Sequence, residues 1–291
     1  PLGPPSTGLI SKGPILMTRA ISVMILAALG LSLVACGPPH QPEPTPVSTS
    51  PPDIATAIAP VAIVGNPAAP GFDAAGSDRR AIELADRVME RLGGRAAWED
   101  TRYLTWRFFG GRRHVWDKWT GNHRFEADEL TVLSNINDAV GRAWEAGVEV
   151  TDADTLAARL DKAQRAWIND SYWLVMPYKL KDSGVTLSYV GEGMTEDGLP
   201  ANILEMTFRH VGRTPQNRYQ IWVDIDNSLV RQWSFYASAE DEEPKFVMPW
   251  ANWQPYGEIW LNDDFSGRRH SSVAVYEELP EVVFTSPAPY F

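Results

Sequence analysis

Cysteine is almost absent from this chain, and histidine is scarce. Cys36 is the single cysteine among 291 residues, and there are five histidines. One thiol cannot form an internal disulfide, a cysteine-based zinc site or a two-cysteine redox motif. The sequence also contains no compact histidine motif and no Gly-x-Ser-x-Gly element. We therefore predict no metal, no cofactor and no catalytic residue.

Basic residues are outnumbered, with 26 Lys and Arg against 37 Asp and Glu and a formal net charge of −11. Domains that bind nucleic acid usually carry clustered Lys and Arg, which displace counterions from phosphates. The sequence has no such cluster, so nucleic acid is not a predicted partner. Arg112-Arg113 and Arg268-Arg269 are isolated pairs that could clamp a lipid phosphate or simply keep loop ends soluble.

The chain also lacks a run of about 20 apolar residues, the length a membrane-spanning helix needs. Its N-terminal candidate, Ile21–Ala35, is shorter, follows Met17 and Arg19, and ends in small side chains. This layout predicts a cleavable signal peptide over residues 17–35. Leu33-Val34-Ala35-Cys36 resembles the bacterial lipobox, in which the cysteine receives a diacylglycerol, and an ordinary signal peptide is the alternative. Cleavage before Cys36 would leave a mature charge of −13.

The remaining sequence divides by composition. Residues 1–16 precede Met17 and are interpreted as an upstream extension or cloning remnant outside the fold. Residues 36–76 are rich in Pro, Ala, Ser and Thr and contain no aromatic residue before Phe72. Such a composition favours extended chain that packs poorly, so we predict a disordered tether. Residues 77–291 form one predicted domain.

Two helices are predicted in this domain. The first covers residues 77–93, where apolar residues recur at helical spacing before a Gly-Gly pair. The second runs from about residue 152 to residue 169, and Thr151 with Asp154 predicts a capping box at its start. Each helix carries an apolar stripe, which must cover an apolar surface.

The rest of the domain is predicted to be mostly strands, because apolar and polar residues alternate between short turns. Consecutive strands joined by such turns favour an antiparallel meander. In the strand after Asp226-Asn227-Ser228, we place Leu229, Arg231, Trp233 and Phe235 on one face. The predicted strands are Arg102–Phe109, Arg113–Trp119, Asn122–Ala127, Thr186–Val190, Asn202–Arg209, Tyr219–Ile225, Leu229–Tyr236, Lys245–Met248, Gly257–Leu261 and Ser272–Tyr276.

One segment carries a family resemblance. Asn169–Leu187 resembles a signature of uncharacterised bacterial exported proteins related to the outer-membrane lipoprotein-carrier (LolA/LolB-like) superfamily. Asp224-Ile225-Asp226 before a hairpin with Trp233, and the stretch Trp250–Gly257, support it. The resemblance implies an α+β, mainly β fold, a strongly curved and incompletely closed antiparallel barrel with two or more helices covering its concave face. It also implies a cavity for acyl chains, although no ligand-contacting residue of the carriers matches a position here.

Tryptophan is abundant, with twelve residues. Large rings facing a curved sheet either line a ligand cavity or fill the core. Exposed rings flanked by carboxylates or amides would instead indicate a glycan platform. The residues predicted to line a cavity are Trp106, Phe108, Trp116, Trp173, Met206, Trp222, Trp233 and Phe235.

His114, Asp117 and His123 form the one close grouping of His and Asp, on neighbouring strands of a predicted hairpin. A metal or hydrolytic site needs three ligands, or a nucleophile with a base and a group that orients it. Surface or core histidines are the simpler interpretation.

These features predict a non-enzymatic cell-envelope lipoprotein, anchored through Cys36 to a membrane. Gly37 in place of Asp favours, by analogy, the outer membrane, with the domain facing the periplasm. The predicted ligand is a hydrophobic small molecule or lipid, and lipidation of the chain disfavours a shuttle role. The alternatives are an interaction or glycan-binding lipoprotein, and a hydrolase that uses the surroundings of His114. The sequence identifies no protein partner.

Overall fold

The computed structural model describes residues 65–209 and 211–291. Cys36, the predicted signal peptide and the predicted tether up to residue 64 lie outside the described residues. Within the described ranges, no helix is both long enough and apolar enough to cross a membrane.

The described residues include four α-helices. They are α1 (Arg79–Arg91), α2 (Gly94–Asp100), α3 (Ala153–Val175) and α4 (Val282–Thr285). The first predicted helix is confirmed, and Gly93 follows it with a φ of 111°, where a side chain would collide with the Glu258 carbonyl. The second is six residues longer than predicted. Its start is also different, because Asp152, not Thr151, caps α3 by accepting a hydrogen bond from the Thr155 amide (2.9 Å).

Sixteen short strands are found in the same described part of the chain. The first six are β1 (Tyr103–Arg107), β2 (Arg113–Asp117), β3 (Asn122–Ala127), β4 (Leu130–Asn135), β5 (Gly141–Glu145) and β6 (Val148–Glu149). The next five are β7 (Val185–Met194), β8 (Pro200–Phe208), β9 (Arg218–Asp224), β10 (Val230–Tyr236) and β11 (Phe246–Pro249). The last five are β12 (Gln254–Tyr256), β13 (Ile259–Leu261), β14 (Asp264–Phe265), β15 (Arg268–Arg269) and β16 (Ser271–Tyr276).

The strands form two main antiparallel sheets. The first has the order β16-β1-β2-β3-β4-β5-β6 and the second β11-β10-β9-β8-β7, while β12-β13 and β14-β15 form small hairpins. The sheets are curled and unclosed, so the predicted mainly β, half-open antiparallel fold with covering helices is confirmed. The predicted hairpins at Thr120-Gly121 and residues 226–228 are also confirmed. The strands β4, β5 and β6 were not predicted.

A bulge corrects one predicted strand face. In β10, the register with β9 shifts between Val230 and Gln232. The extra residue inverts the alternation at that point, so Val230 is fully buried, while Arg231 binds the Asp224 carboxylate at 2.9 Å. The predicted grouping of Arg231 with Trp233 and Phe235 on one face is therefore wrong.

Helix α3 contacts both sheets, and this contact positions the site. Ala163, in its N-terminal half, packs with Val132 and Ala143 of the first sheet. In its C-terminal half, Tyr172 and Trp173 contact Trp233 of the second sheet. The helix thus covers the second sheet while remaining fixed to the first.

Candidate functional site: an aromatic cavity under α3

A cavity of about 630 Å³ lies between α3 and the second sheet. Its volume falls within the range of roughly 300–1,000 Å³ that is typical of small-molecule sites. The lining comes from α3, from the chain just after it, from β7 to β11 and from the loop between β8 and β9. The lining residues are Arg165, Trp167, Ile168, Asn169, Ser171, Tyr172, Trp173, Lys179, Asp182, Ser183, Val185, Phe208, Val211, Gly212, Arg213, Thr214, Asn217, Tyr219, Trp233, Phe235 and Phe246.

Aromatic rings form the inner wall of the cavity. Tyr219 stacks on Trp233, with ring centroids 5.1 Å apart and planes 5° from parallel. Trp173 meets Trp233 edge-on at 4.8 Å and stacks on Phe246 at 5.6 Å. Phe235 stacks on Phe246 at 5.1 Å. Tyr219 and Phe235 are paired residues of the neighbouring strands β9 and β10, so their rings lie on the same face of the sheet. That face is the one that α3 covers.

Two tyrosines of the wall stay uncharged. Burial raises the pKa of Tyr219 to about 12, although a hydrogen bond from Asn217 opposes the shift. Burial also raises the pKa of Tyr172. Both hydroxyls therefore remain protonated at neutral pH, and the inner wall carries no charge from them.

Charged side chains stand where α3 and the β8–β9 loop meet at the cavity. Asp161 binds Arg165 at 2.5 Å and Arg213 at 2.7 Å, one carboxylate oxygen to each guanidinium. Lys179 forms an ion pair with Asp182 on the segment that follows α3. Arg165 and Arg213 are exposed, so this part of the cavity faces solvent.

The segment that leads into α1 supports one wall of the cavity. The Ala69 amide donates to the Lys181 carbonyl, the Gly184 amide to the Gly71 carbonyl, and the Asp73 amide to the Val185 carbonyl, at 2.8–3.0 Å. Residues 69–73 therefore run beside residues 181–185, of which several line the cavity. Described residues of the predicted tether are thus part of the fold.

A second group of polar residues lies on the other side of α3. Arg112 donates two hydrogen bonds to Asp170, at 2.7 and 2.8 Å. His114 Nε2 lies 2.8 Å from Asp170 Oδ2, and His114 Nδ1 lies 3.0 Å from His123 Nε2. Asp170, His114 and His123 are all buried.

Electrostatics fix the charges in this group. Burial alone would raise the pKa of Asp170, but hydrogen bonds from His114 and Arg112 outweigh it and lower that pKa. Burial lowers the pKa of His114, and Asp170 only partly opposes the shift. Burial, reinforced by His114, lowers the pKa of His123 strongly. At neutral pH, an ionised Asp170 thus pairs with Arg112 and accepts a hydrogen bond from a neutral His114.

This buried group joins α3 to the first sheet and does not form a hydrolytic triad. The nitrogen of His114 that would face a nucleophile faces His123 instead. Asp117, the third member of the grouping in the sequence, is bound to Arg102 at 2.9 Å. Within the described residues, no group of three or more His, Cys, Asp or Glu side chains could hold a metal ion.

Three of the eight predicted cavity residues line the cavity: Trp173, Trp233 and Phe235. The other five lie elsewhere. Trp106 is buried against His114 with centroids 4.6 Å apart, Trp116 packs edge-on against Trp167, and Phe108 lies in a short 3-10 turn against Trp173. Met206 is buried at 3.8 Å from the Tyr172 hydroxyl, and Trp222 alternates with buried Ile221 and Val223, which places it on the opposite face of β9.

The sequence analysis missed most of the lining. Ile168 precedes Tyr172 by four residues, the spacing of one helix face, and Tyr219 precedes Ile221 by the two-residue period of a strand. Those periods could have identified them. Arg165, Lys179 and Arg213 carry no such signal, because their convergence depends on how α3 crosses the second sheet. Arg112 and Arg113, considered as a phosphate clamp, bind Asp170 and Glu126 instead.

No family model and no curated protein matches the chain. Solved structures that are similar include a DUF1329 family protein from Desulfovibrio piger, with 13% identity over 70% of this chain and 96% of that one, at a TM-score of 0.37. A LolA superfamily protein from Nitrosomonas europaea has 12% identity over 69% and 96%, at 0.33. An uncharacterised conserved protein from Thermus thermophilus has 10% identity over 71% and 93%, at 0.24. The LolA superfamily is also the one that the sequence resembles.

Proposed function

We propose that this protein binds a hydrophobic ligand, an acyl chain or lipid, in the cavity between α3 and the second sheet. The observation that carries the proposal is the uncharged aromatic wall built from Tyr219, Trp233, Trp173 and Phe246. Apolar surface gains roughly 25 cal/mol for each Å² removed from water. An aliphatic chain seated against these rings would gain that free energy along its whole length.

The first test is native mass spectrometry with lipid extraction. The protein would be the chain from Cys36 onward, carrying Cys36→Ser, because it contains every described residue and needs no detergent. We expect acyl lipids to co-purify in a defined stoichiometry. A mass that stays that of the bare chain, even after lipids are offered, would contradict the proposal.

A matched pair of variants locates the ligand. Phe235 and Trp222 are half-buried rings on adjacent strands, but Phe235 lines the cavity and Trp222 lies on the opposite face. Phe235→Glu buries a charge among rings and should abolish co-purification. Trp222→Glu should retain the lipid. Circular dichroism would confirm that both variants are folded, and equal loss in both would place the ligand outside this cavity.

We further propose that lipids on Cys36 hold the protein at the outer membrane, with the domain facing the periplasm. The support is the export signal and lipobox pattern over residues 17–36. Firm anchoring takes two or more acyl chains, which a diacylglycerol on Cys36 would supply. Bacteria fed labelled palmitate should label the wild-type protein in the membrane fraction. Cys36→Ala should remove both the label and the membrane association, and an unlabelled wild-type protein would refute the anchor.

A glycan platform is favoured less by the geometry. Among the described residues, the one exposed tryptophan is Trp119, with 59% of its surface accessible to solvent. Its indole N–H donates to the Glu99 carbonyl, and Arg102 covers its ring at 5.1 Å. One ring, already in contact with a guanidinium, offers little surface for stacking on a sugar.

A further inference from the structure

The cavity carries a local positive charge on an acidic chain. Its lining contains Arg165, Lys179 and Arg213, against the single carboxylate Asp182. Asp161 adds a second carboxylate beside the two arginines. Three cations therefore face two anions here, whereas the whole chain has a formal charge of −11.

The two arginines are arranged so that both can accept another anion. Asp161 binds Arg165 with one oxygen and Arg213 with the other. A guanidinium offers five N–H donors, so each arginine can bind a second acceptor and still keep Asp161. The two side chains are 57% and 45% exposed, which leaves them accessible from solvent.

The arginines come from two different elements, and this places them at the border of the aromatic wall. Arg165 lies on α3, two residues before Trp167 of the lining, and Arg213 lies on the β8–β9 loop, which leads into Tyr219. Thr214 and Asn217 of the same loop add a hydroxyl and an amide to the lining. Where α3 meets this loop the cavity lining is cationic and hydrogen-bonding, whereas around Trp233 it is aromatic.

We propose that the ligand is an amphiphile with an aliphatic tail and an anionic headgroup, a carboxylate or a phosphate. The tail lies against the rings around Trp233, and the headgroup binds Arg165 and Arg213. This assignment rests on the proposed binding function and names its ligand class. Arginine forms bidentate, charge-assisted hydrogen bonds with both kinds of anion.

The test compares headgroups on one tail. Dodecanoate, dodecyl phosphate and the neutral methyl dodecanoate would be titrated calorimetrically into the chain from Cys36 onward carrying Cys36→Ser. We expect at least one anion to bind about tenfold more tightly than the ester, the ratio that one charge-assisted pair supplies. The carboxylate and phosphate arms distinguish the two sources of charge. Equal affinities for all three would overturn the headgroup assignment and leave the binding function intact, whereas no binding at all would overturn both.

Variants then assign the charge to its residues. The double variant Arg165→Gln with Arg213→Gln should bring the ratio of anion to ester affinity close to one. Arg159→Gln is the matched control, because Arg159 also lies on α3 and forms a partly exposed ion pair, with Glu145, yet does not line the cavity. It should leave the ratio unchanged. Because the ratio is measured within each variant, a general loss of affinity does not affect it, and a preserved ratio in the double variant would overturn the assignment.

Discussion

Asp170 is a completely buried carboxylate that is hydrogen-bonded by three side chains, those of Arg112, His114 and Asn169. Arg112 supplies a full positive charge and two hydrogen bonds, and His114 supplies a third. A buried charge is tolerated only when it is paired and hydrogen-bonded. Asp170 therefore provides a buried polar connection between α3 and the first sheet, in addition to the apolar packing of Ala163.

Replacement of Asp170 should test this dependence. Asp170→Asn keeps the shape but removes the charge that Arg112 and His114 require. We expect the free energy of unfolding to fall by about 3 kcal/mol, near the lower limit for breaking a buried pair, because Arg112 is partly exposed and can be hydrated. Urea denaturation measures the change.

Asp161→Asn is the control for that variant, since Asp161 lies on the same helix. It binds two basic side chains, Arg165 and Arg213, but at the surface. Exposed ion pairs contribute roughly 0–1 kcal/mol. If the free energy of unfolding fell equally in the two variants, burial of Asp170 would not increase its contribution to stability.

The same residue explains a boundary that the sequence could not place. The helix was predicted to end near residue 169, and Asn169 and Asp170 are of residue types that favour turns over helix interiors. The helix nevertheless continues for six residues, because Arg112 and His114 hydrogen-bond the Asp170 side chain inside it. Both partners lie more than fifty positions away in the sequence. No local pattern contains that information.

At the scale of elements, the start of α3 gives a further prediction. Asp152 accepts hydrogen bonds from the amide and the hydroxyl of Thr155, at 2.9 and 2.6 Å. Asp152→Ala should lower the free energy of unfolding by about 1 kcal/mol, the usual contribution of an N-cap. Asp154→Ala removes a charge from the same turn but no cap, and urea denaturation should find a smaller loss. The reverse order would contradict the assigned cap.

Other elements were predictable to different degrees. Most strands showed the period-two alternation and are present within a few residues of their predicted ends. In β4 the consecutive buried residues Val132 and Leu133 break the alternation, in β5 Ala143 and Trp144 do the same, and β6 has only two residues. In β10, alternation failed at one position, because a bulge is set by the pairing with β9 and not by the strand alone.

At the scale of the whole molecule, buried histidines should make stability depend on pH. Burial lowers the pKa of His114, of His123 and of His270, the last to about 4. In the unfolded chain each group titrates near 6.5. Unfolding therefore takes up protons below that pH. The contribution of these neutral histidines to the free energy of unfolding is complete above about pH 6.5, and it is lost as the pH falls towards their pKa values in the folded protein.

His270→Phe should make this dependence shallower. His270 lies among Phe108, Phe109 and Phe265, with centroids 5.0–5.4 Å away, so a phenyl ring suits its surroundings. One proton corresponds to about 1.4 kcal/mol per pH unit. Urea denaturation at several pH values between 4.5 and 6 should give a slope smaller by about that amount. Parallel curves for the two proteins would exclude His270 as a source.

The site was less predictable than the fold, because it depends on contacts between elements that are far apart in the sequence. Trp173, Trp233 and Phe235 face the cavity because of local periodicity, which a sequence displays. Trp106 and Met206 have the same periodicity, yet helices and neighbouring strands fill the space in front of them. Whether a buried ring faces a void or a neighbour depends on the packing of distant elements, and so does the meeting of Arg165 with Arg213.

The pairing of residues 69–73 with residues 181–185 gives the domain a mechanical property. A pull on the chain ahead of residue 65 is transmitted first to Asn66, whose side chain is hydrogen-bonded to Asp86 and Arg95 and whose carbonyl accepts a hydrogen bond from Lys181. The hydrogen bonds of Ala69, Gly71 and Asp73 are next. Those bonds attach directly to the segment that carries Asp182, Ser183 and Val185 of the cavity wall. Tension would thus load one wall of the cavity and the first residue of β7 before it reached the other strands of either main sheet. The shape of the cavity and the resistance of the chain to a pull therefore depend on the same few peptide groups.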